Sequence, residues 1–94
     1  MKPINSLQPI LLVEDNPLDV DLTRRAFARN HVTNPTLVAR DGEEAVEFIA
    51  RWEAGQQKPA LILLDLKLPK MDGLEVLRRL KSHPRFRTLP VVIL

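Results

Sequence analysis

The chain has 94 residues, 45% of them apolar and 28% charged, enough for one small globular domain and too few for two. Fourteen lysines and arginines against twelve aspartates and glutamates leave a formal charge of +2, too small an excess to make a nucleic-acid or anionic-membrane surface the default reading. The absence of cysteine excludes a disulfide framework, thiolate zinc, an iron–sulfur cluster and a cysteine nucleophile, which leaves oxygen ligands and two histidines.

Residues 1–9 contain one lysine and no apolar core of signal-peptide length, and the longest apolar run, 60–64, is too short to cross a bilayer. A cytoplasmic protein with no membrane segment is expected. Four apolar runs mark strands at 10–13, 37–39, 60–64 and 91–94. The first, third and fourth do not alternate with polar residues, the pattern of strands buried on both faces of a parallel sheet. Between them lie three helical stretches, each opened by a short polar residue with an acid three positions on: Asn16 with Asp19, Asp41 with Glu44, and Asp72 with Glu75. These are N-caps of capping-box type, and Pro17 and Gly73 take the first helical position.

The stripe to bury is Leu18, Leu22 and Ala26 on the first helix, Ala45, Phe48, Ile49 and Trp52 on the second, and Leu74, Leu77 and Leu80 on the third. The expected stops are Asn30, Gly55 and the Ser82-His83-Pro84 segment. The order β-α-β-α-β-α-β predicts an α/β doubly wound parallel sheet forming one domain over 1–94. The run at 91–94 has no helix after it, which predicts either the front part of a longer domain or a homodimer that completes its sheet through the exposed edge. A light-scattering mass of one chain would exclude the homodimer.

In such sheets, ligands bind beyond the carboxyl ends of the strands, where strand order reverses. Glu14 and Asp15 directly follow the first strand and Asp65 directly follows the third. If those strands are neighbours, three carboxylates converge on one small volume. Their repulsion calls for a cation, and an all-oxygen site with few protein ligands favours Mg²⁺. Singly, each acid reads as a polar strand end; together they are hard to explain by turn chemistry.

The stretches Val13-Glu14-Asp15-Asn16, Leu63-Leu64-Asp65, Leu68-Pro69-Lys70-Met71-Asp72-Gly73 and Leu89-Pro90-Val91-Val92-Ile93-Leu94, at these spacings, resemble the response-regulator receiver domain of two-component signalling across essentially the whole chain. The segments 14–19 and 81–85 further resemble stand-alone receivers associated with phytochrome-type sensor kinases. The resemblance implies a flavodoxin-like receiver fold with Asp65 as phosphoacceptor, taking a phosphoryl group from a histidine of a sensor kinase. It also implies Mg²⁺ held by Asp15, Asp65 and the backbone carbonyl of Lys67, with Glu14 acting through coordinated water. Receivers place a threonine or serine after the fourth strand and a lysine after the fifth, and neither stands in this chain; Lys67 and Lys70 lie on the acceptor loop and do not replace that lysine.

Rival readings are weaker. An Asp-nucleophile phosphatase would carry a second aspartate two residues after the nucleophile, where Lys67 stands. A metal-dependent nuclease would want more acids after the third strand and a basic groove, whereas Asp72 reads as a helix cap. A pseudo-receiver, binding partners without phosphorylation, is the alternative from another class. No Gly-rich phosphate loop follows any strand. His31 and His83 read as surface residues, the bases Arg78, Arg79, Lys81, Arg85 and Arg87 as the solvated face of the third helix and its loop, and Phe86 as a loop aromatic available to an interface.

Overall fold

The computed structural model describes residues 8–68 and 72–94. Four strands, β1 (Ile10–Val13), β2 (Thr36–Ala39), β3 (Leu61–Leu64) and β4 (Val91–Ile93), alternate with α1 (Pro17–Arg29), α2 (Gly42–Glu53) and α3 (Gly73–Ser82). All pairings are parallel, in the order β2-β1-β3-β4, so the chain steps from β1 to one side and then returns to the other. The expected doubly wound sheet is therefore observed. β1 is fully buried and β3 is buried from Ile62 on, because successive side chains leave opposite faces and helices cover both.

Leu11 and Val13 of β1 join Ile62 and Leu64 of β3 in the larger core, under Ala45, Ile49 and Trp52 of α2 and Val76 and Leu80 of α3. Ile10, Leu12 and Leu63 point the other way, against Val20 and Phe27 of α1. Phe86, expected at an interface, is instead 2% exposed. Its ring meets Trp52 edge-on at 5.7 Å and stacks on His83 at 4.1 Å. A short loop after α3 can bury an aromatic because Pro84 turns the chain back over the α2–α3 seam. Arg85 stacks over the same ring, and Lys81 donates to the Arg87 carbonyl. Arg78 and Arg79 pair with Glu75. Much of the basic segment is thus engaged within its own helix and loop.

The expected stripe on α1 is corrected by the structure. Leu18 and Leu22 are 73% and 58% exposed, and α1 has no buried residue. Val20, Thr23 and Phe27 form the inward face, one position round from the leucine stripe. Hydrophobicity at steps of four selected the wrong face because α1 is amphipathic on two sides. Leu74 on α3 is likewise exposed, and Val76 takes its expected place in the core.

The caps form as expected. Asn16 accepts the Leu18 N–H at 2.9 Å, Asp41 the Glu44 N–H at 2.8 Å and Asp72 the Glu75 N–H at 3.0 Å. At α2 the Glu44 side chain also accepts the Arg40 N–H at 2.9 Å, one residue before the cap. α1 ends at Asn30, and His31 then turns left-handed, with φ 59°. A non-glycine residue there is strained by roughly 1 kcal/mol. Replacing His31 with glycine is expected to raise stability by about 0.5 kcal/mol, the relieved strain less the added freedom of the unfolded chain. Urea unfolding checks this, and a lower midpoint would contradict it.

Candidate acidic site

The register places Val13 beside Leu64, so the residues that leave β1 and β3 emerge side by side. The Asp65 N–H donates to the Val13 carbonyl at 3.0 Å and extends that pairing by one residue. Glu14, Asp15 and Asp65 each offer a carboxylate oxygen, and these oxygens lie within 4.8 Å of one another. The sheet thus brings together the three acids singled out in the sequence, at the point where strand order reverses. Asp65 is half-buried and Asp15 exposed, while Glu14 is 6% exposed.

The acids also close local turns, contrary to the expectation that turn chemistry does not use them. One Glu14 oxygen accepts the Asp15 N–H at 2.9 Å and, more weakly, the Asn16 N–H at 3.4 Å. Asp65 Oδ1 accepts the Lys67 N–H at 2.9 Å. These bonds fix both carboxyl groups and leave lone pairs for a ligand. Burial, followed by the hydrogen bond and charge of Asp65, pushes the Glu14 carboxyl from its ordinary 4.5 up to about 7, against the lowering effect of the Asn16 N–H.

Lys67 lies on the exposed loop just past Asp65. Pro69, Lys70 and Met71 of the acceptor-loop motif fall outside the described residues. Asp72 serves as the α3 cap, as expected. His31 follows the α1 cap Asn30, and His83 caps α3 with Nδ1 accepting the Arg85 N–H at 3.1 Å. Neither histidine joins the acids. A cleft of about 230 Å³ adjoins the acids on the β2 side, walled by Arg24 and Arg40. Sequence reasoning missed these arginines, which lie far from Asp65 along the chain. It also gave Gly73 only a helix-start role, yet the Gly73 N–H donates to the Leu66 carbonyl at 3.0 Å.

The model of the response regulator receiver domain matches residues 10–94. The chain is 45% identical over 86 residues to the probable methanogenesis regulatory protein FilR2 of Methanothrix harundinacea, covering 90% of this chain and 56% of FilR2. It is 38% identical over 92 residues to the response regulator Rcp1 of Synechocystis, covering 96% of this chain and 63% of Rcp1. The Mn²⁺-bound structure of Rcp1 superposes with a TM-score of 0.81. The structure of the phosphorylated cyanobacterial phytochrome response regulator RcpA superposes with a TM-score of 0.83 at 43% identity, over 93% of this chain and 64% of RcpA. The chain thus spans under two thirds of the length of these relatives. Among the described residues, no helix is long and apolar enough to cross a membrane.

Proposed function

The chain belongs to the response regulator receiver domain family, and on that premise we propose that it is a phosphorelay receiver whose phosphoacceptor is Asp65. The observation that carries this reading is the convergence of the Glu14, Asp15 and Asp65 carboxylates at the carboxyl ends of β1 and β3. In the proposed step an Asp65 carboxylate oxygen attacks phosphorus, an O–P bond forms, and the N–P bond to the donor histidine breaks. The imidazole leaves with the electron pair and takes up a proton. Such a transfer needs positioning and charge neutralisation more than acid–base help.

The donor set fits a hard divalent cation: it is all oxygen, with one oxygen from each of three carboxylates within 4.8 Å of the others. Asp15 and Asp65 would hold Mg²⁺ directly, with the Lys67 carbonyl completing the protein ligands and Glu14 acting through water. The ion would neutralise charge on the transferring phosphoryl oxygens. This chain's own residues do the rest. The Lys67 N–H engages Asp65 Oδ1 and so orients the carboxyl, and the Val13 carbonyl anchors its backbone. The donor would be a sensor histidine kinase, of the phytochrome-linked kind by analogy with RcpA.

The test is intact-mass spectrometry after incubation with acetyl phosphate, with and without Mg²⁺. A single phosphoryl adduct that appears only with Mg²⁺ is expected. No adduct at saturating metal would favour a partner-binding module that is not phosphorylated.

A further inference from the structure

α3 begins unusually close to the acceptor. A β-carbon built on Gly73 would lie 2.5 Å from the backbone oxygen of Asp65 and 2.5 Å from Cα of Leu66, with the Asp65 carbonyl carbon at 3.2 Å. All three neighbours are backbone atoms, so no side chain can rotate away to admit even a methyl group. The contact is also bonded, since the Gly73 N–H donates to the Leu66 carbonyl at 3.0 Å. The three residues that follow β3 are therefore held from three directions. β1 holds the Asp65 N–H through Val13, α3 holds the Leu66 carbonyl through Gly73, and the Lys67 N–H folds back onto Asp65 Oδ1.

We propose that Gly73 is a positioning residue for the acidic site: lacking a side chain, it lets the first turn of α3 press on the Asp65–Leu66 peptide and so sets where the Asp65 carboxyl stands relative to Glu14 and Asp15. The proposal rests on the functional reading above for what the site does, and on the contact geometry alone for Gly73. The tolerance is small. Sites that depend on converging ligands lose function with displacements of about 1 Å, and relieving a 2.5 Å contact to ordinary van der Waals distance requires a shift of that order.

The experiment compares Gly73→Ala with Gly55→Ala. Gly55 follows α2 at φ 105° with nothing within 4 Å of a built β-carbon, so alanine there strains the backbone without touching the site. Each variant is read by its unfolding midpoint, by Mg²⁺ affinity in titration calorimetry and by the rate of adduct formation from acetyl phosphate at saturating Mg²⁺. Both variants are expected to lose stability. Only Gly73→Ala is expected to weaken Mg²⁺ binding by about tenfold or more and to slow phosphorylation further when metal is saturating.

Gly73→Ala with parental Mg²⁺ affinity and rate, or with losses matched by Gly55→Ala, overturns the proposal. If Gly73→Ala does not fold, Asp72→Ala decides, because it removes the cap that holds the α3 start without adding bulk. It should weaken Mg²⁺ binding two- to threefold, and unchanged binding overturns the proposal. A parent that binds Mg²⁺ but takes no phosphoryl group removes the functional reading and leaves the Gly73 comparison intact in the metal titration. A parent that binds no Mg²⁺ removes both.

Discussion

Asp65→Asn is expected to abolish the phosphoryl adduct completely while making the metal-free chain more stable at neutral pH. The two effects separate because asparagine keeps the shape of the residue and one carbonyl oxygen. Asp65 Oδ1 accepts the Lys67 N–H at 2.9 Å, and an amide oxygen serves that bond as well as a carboxylate oxygen. The Asp65 N–H to Val13 bond is untouched, so the strand end stays in place. What disappears is the nucleophile, because an amide oxygen does not form a stable acyl phosphate. One of three crowded negative charges goes with it. Asp65 helps raise the Glu14 pKa through both a hydrogen bond and its charge. Removing that charge should stabilise the apo chain at neutral pH, because Glu14 then ionises more readily in the fold. The gain should vanish in excess Mg²⁺, where the parent profits from the ion and the variant has lost a ligand. Urea unfolding with EDTA or Mg²⁺, beside intact-mass spectrometry, reads all three. An adduct persisting in Asp65→Asn would move the acceptor elsewhere. A less stable apo variant would mean that the acids do not repel one another as drawn.

The site was legible in the sequence because each of its acids sits one or two residues past a strand that announces itself. The unbroken apolar runs 10–13 and 60–64 mark the central parallel strands, whereas the similar run 91–94 forms an exposed edge, and the ends of central strands are where such sheets bind ligands. The caps were legible for a similar reason: Asn16, Asp41 and Asp72 each supply a short acceptor before a helical pattern, and each accepts an N–H in the structure. The inward face of α1 was not legible. Leu18, Leu22 and Ala26 give a better apolar periodicity than Val20, Thr23 and Phe27, and only the position of the helix over Ile10 and Leu12 decides between them. Phe86 was misread because exposure of a loop is a prior, overridden here by the gap between Trp52 and His83. The close approach of Gly73 to Asp65 could not be read at all, since the seven intervening positions carry no sign in the sequence of how tightly the chain folds back. Glycine at a helix start is equally compatible with open space, as at the other end of the scale Gly55 shows.

Mg²⁺ should flatten the pH dependence that Glu14 gives the stability of the metal-free chain. Glu14 carries a pKa of about 7 in the fold against 4.5 ordinarily. The folded state therefore binds this proton more tightly than the unfolded state does. The resulting stabilisation is fully present below 4.5 and is lost as pH rises through 7, to an extent of about 3 kcal/mol as an upper bound. In EDTA the chain should thus weaken from pH 5 to pH 8. A cation at the site competes with that proton, so Mg²⁺ affinity should fall about tenfold for each pH unit below 7 and level off above it. At saturating Mg²⁺ the folded chain keeps Glu14 ionised, as the unfolded chain does above 4.5, so the group adds no slope from pH 5 to pH 8. The quantity to compare is parent against Glu14→Gln, so that whatever the two chains share cancels. Glutamine can still accept the Asp15 N–H through its amide oxygen and has no proton to exchange. The parent-minus-variant difference in unfolding free energy should slope downward with pH in EDTA and run flat from pH 5 to pH 8 in Mg²⁺. Equal slopes in the two conditions would show that Glu14 and the metal do not compete, and would remove Glu14 from the site.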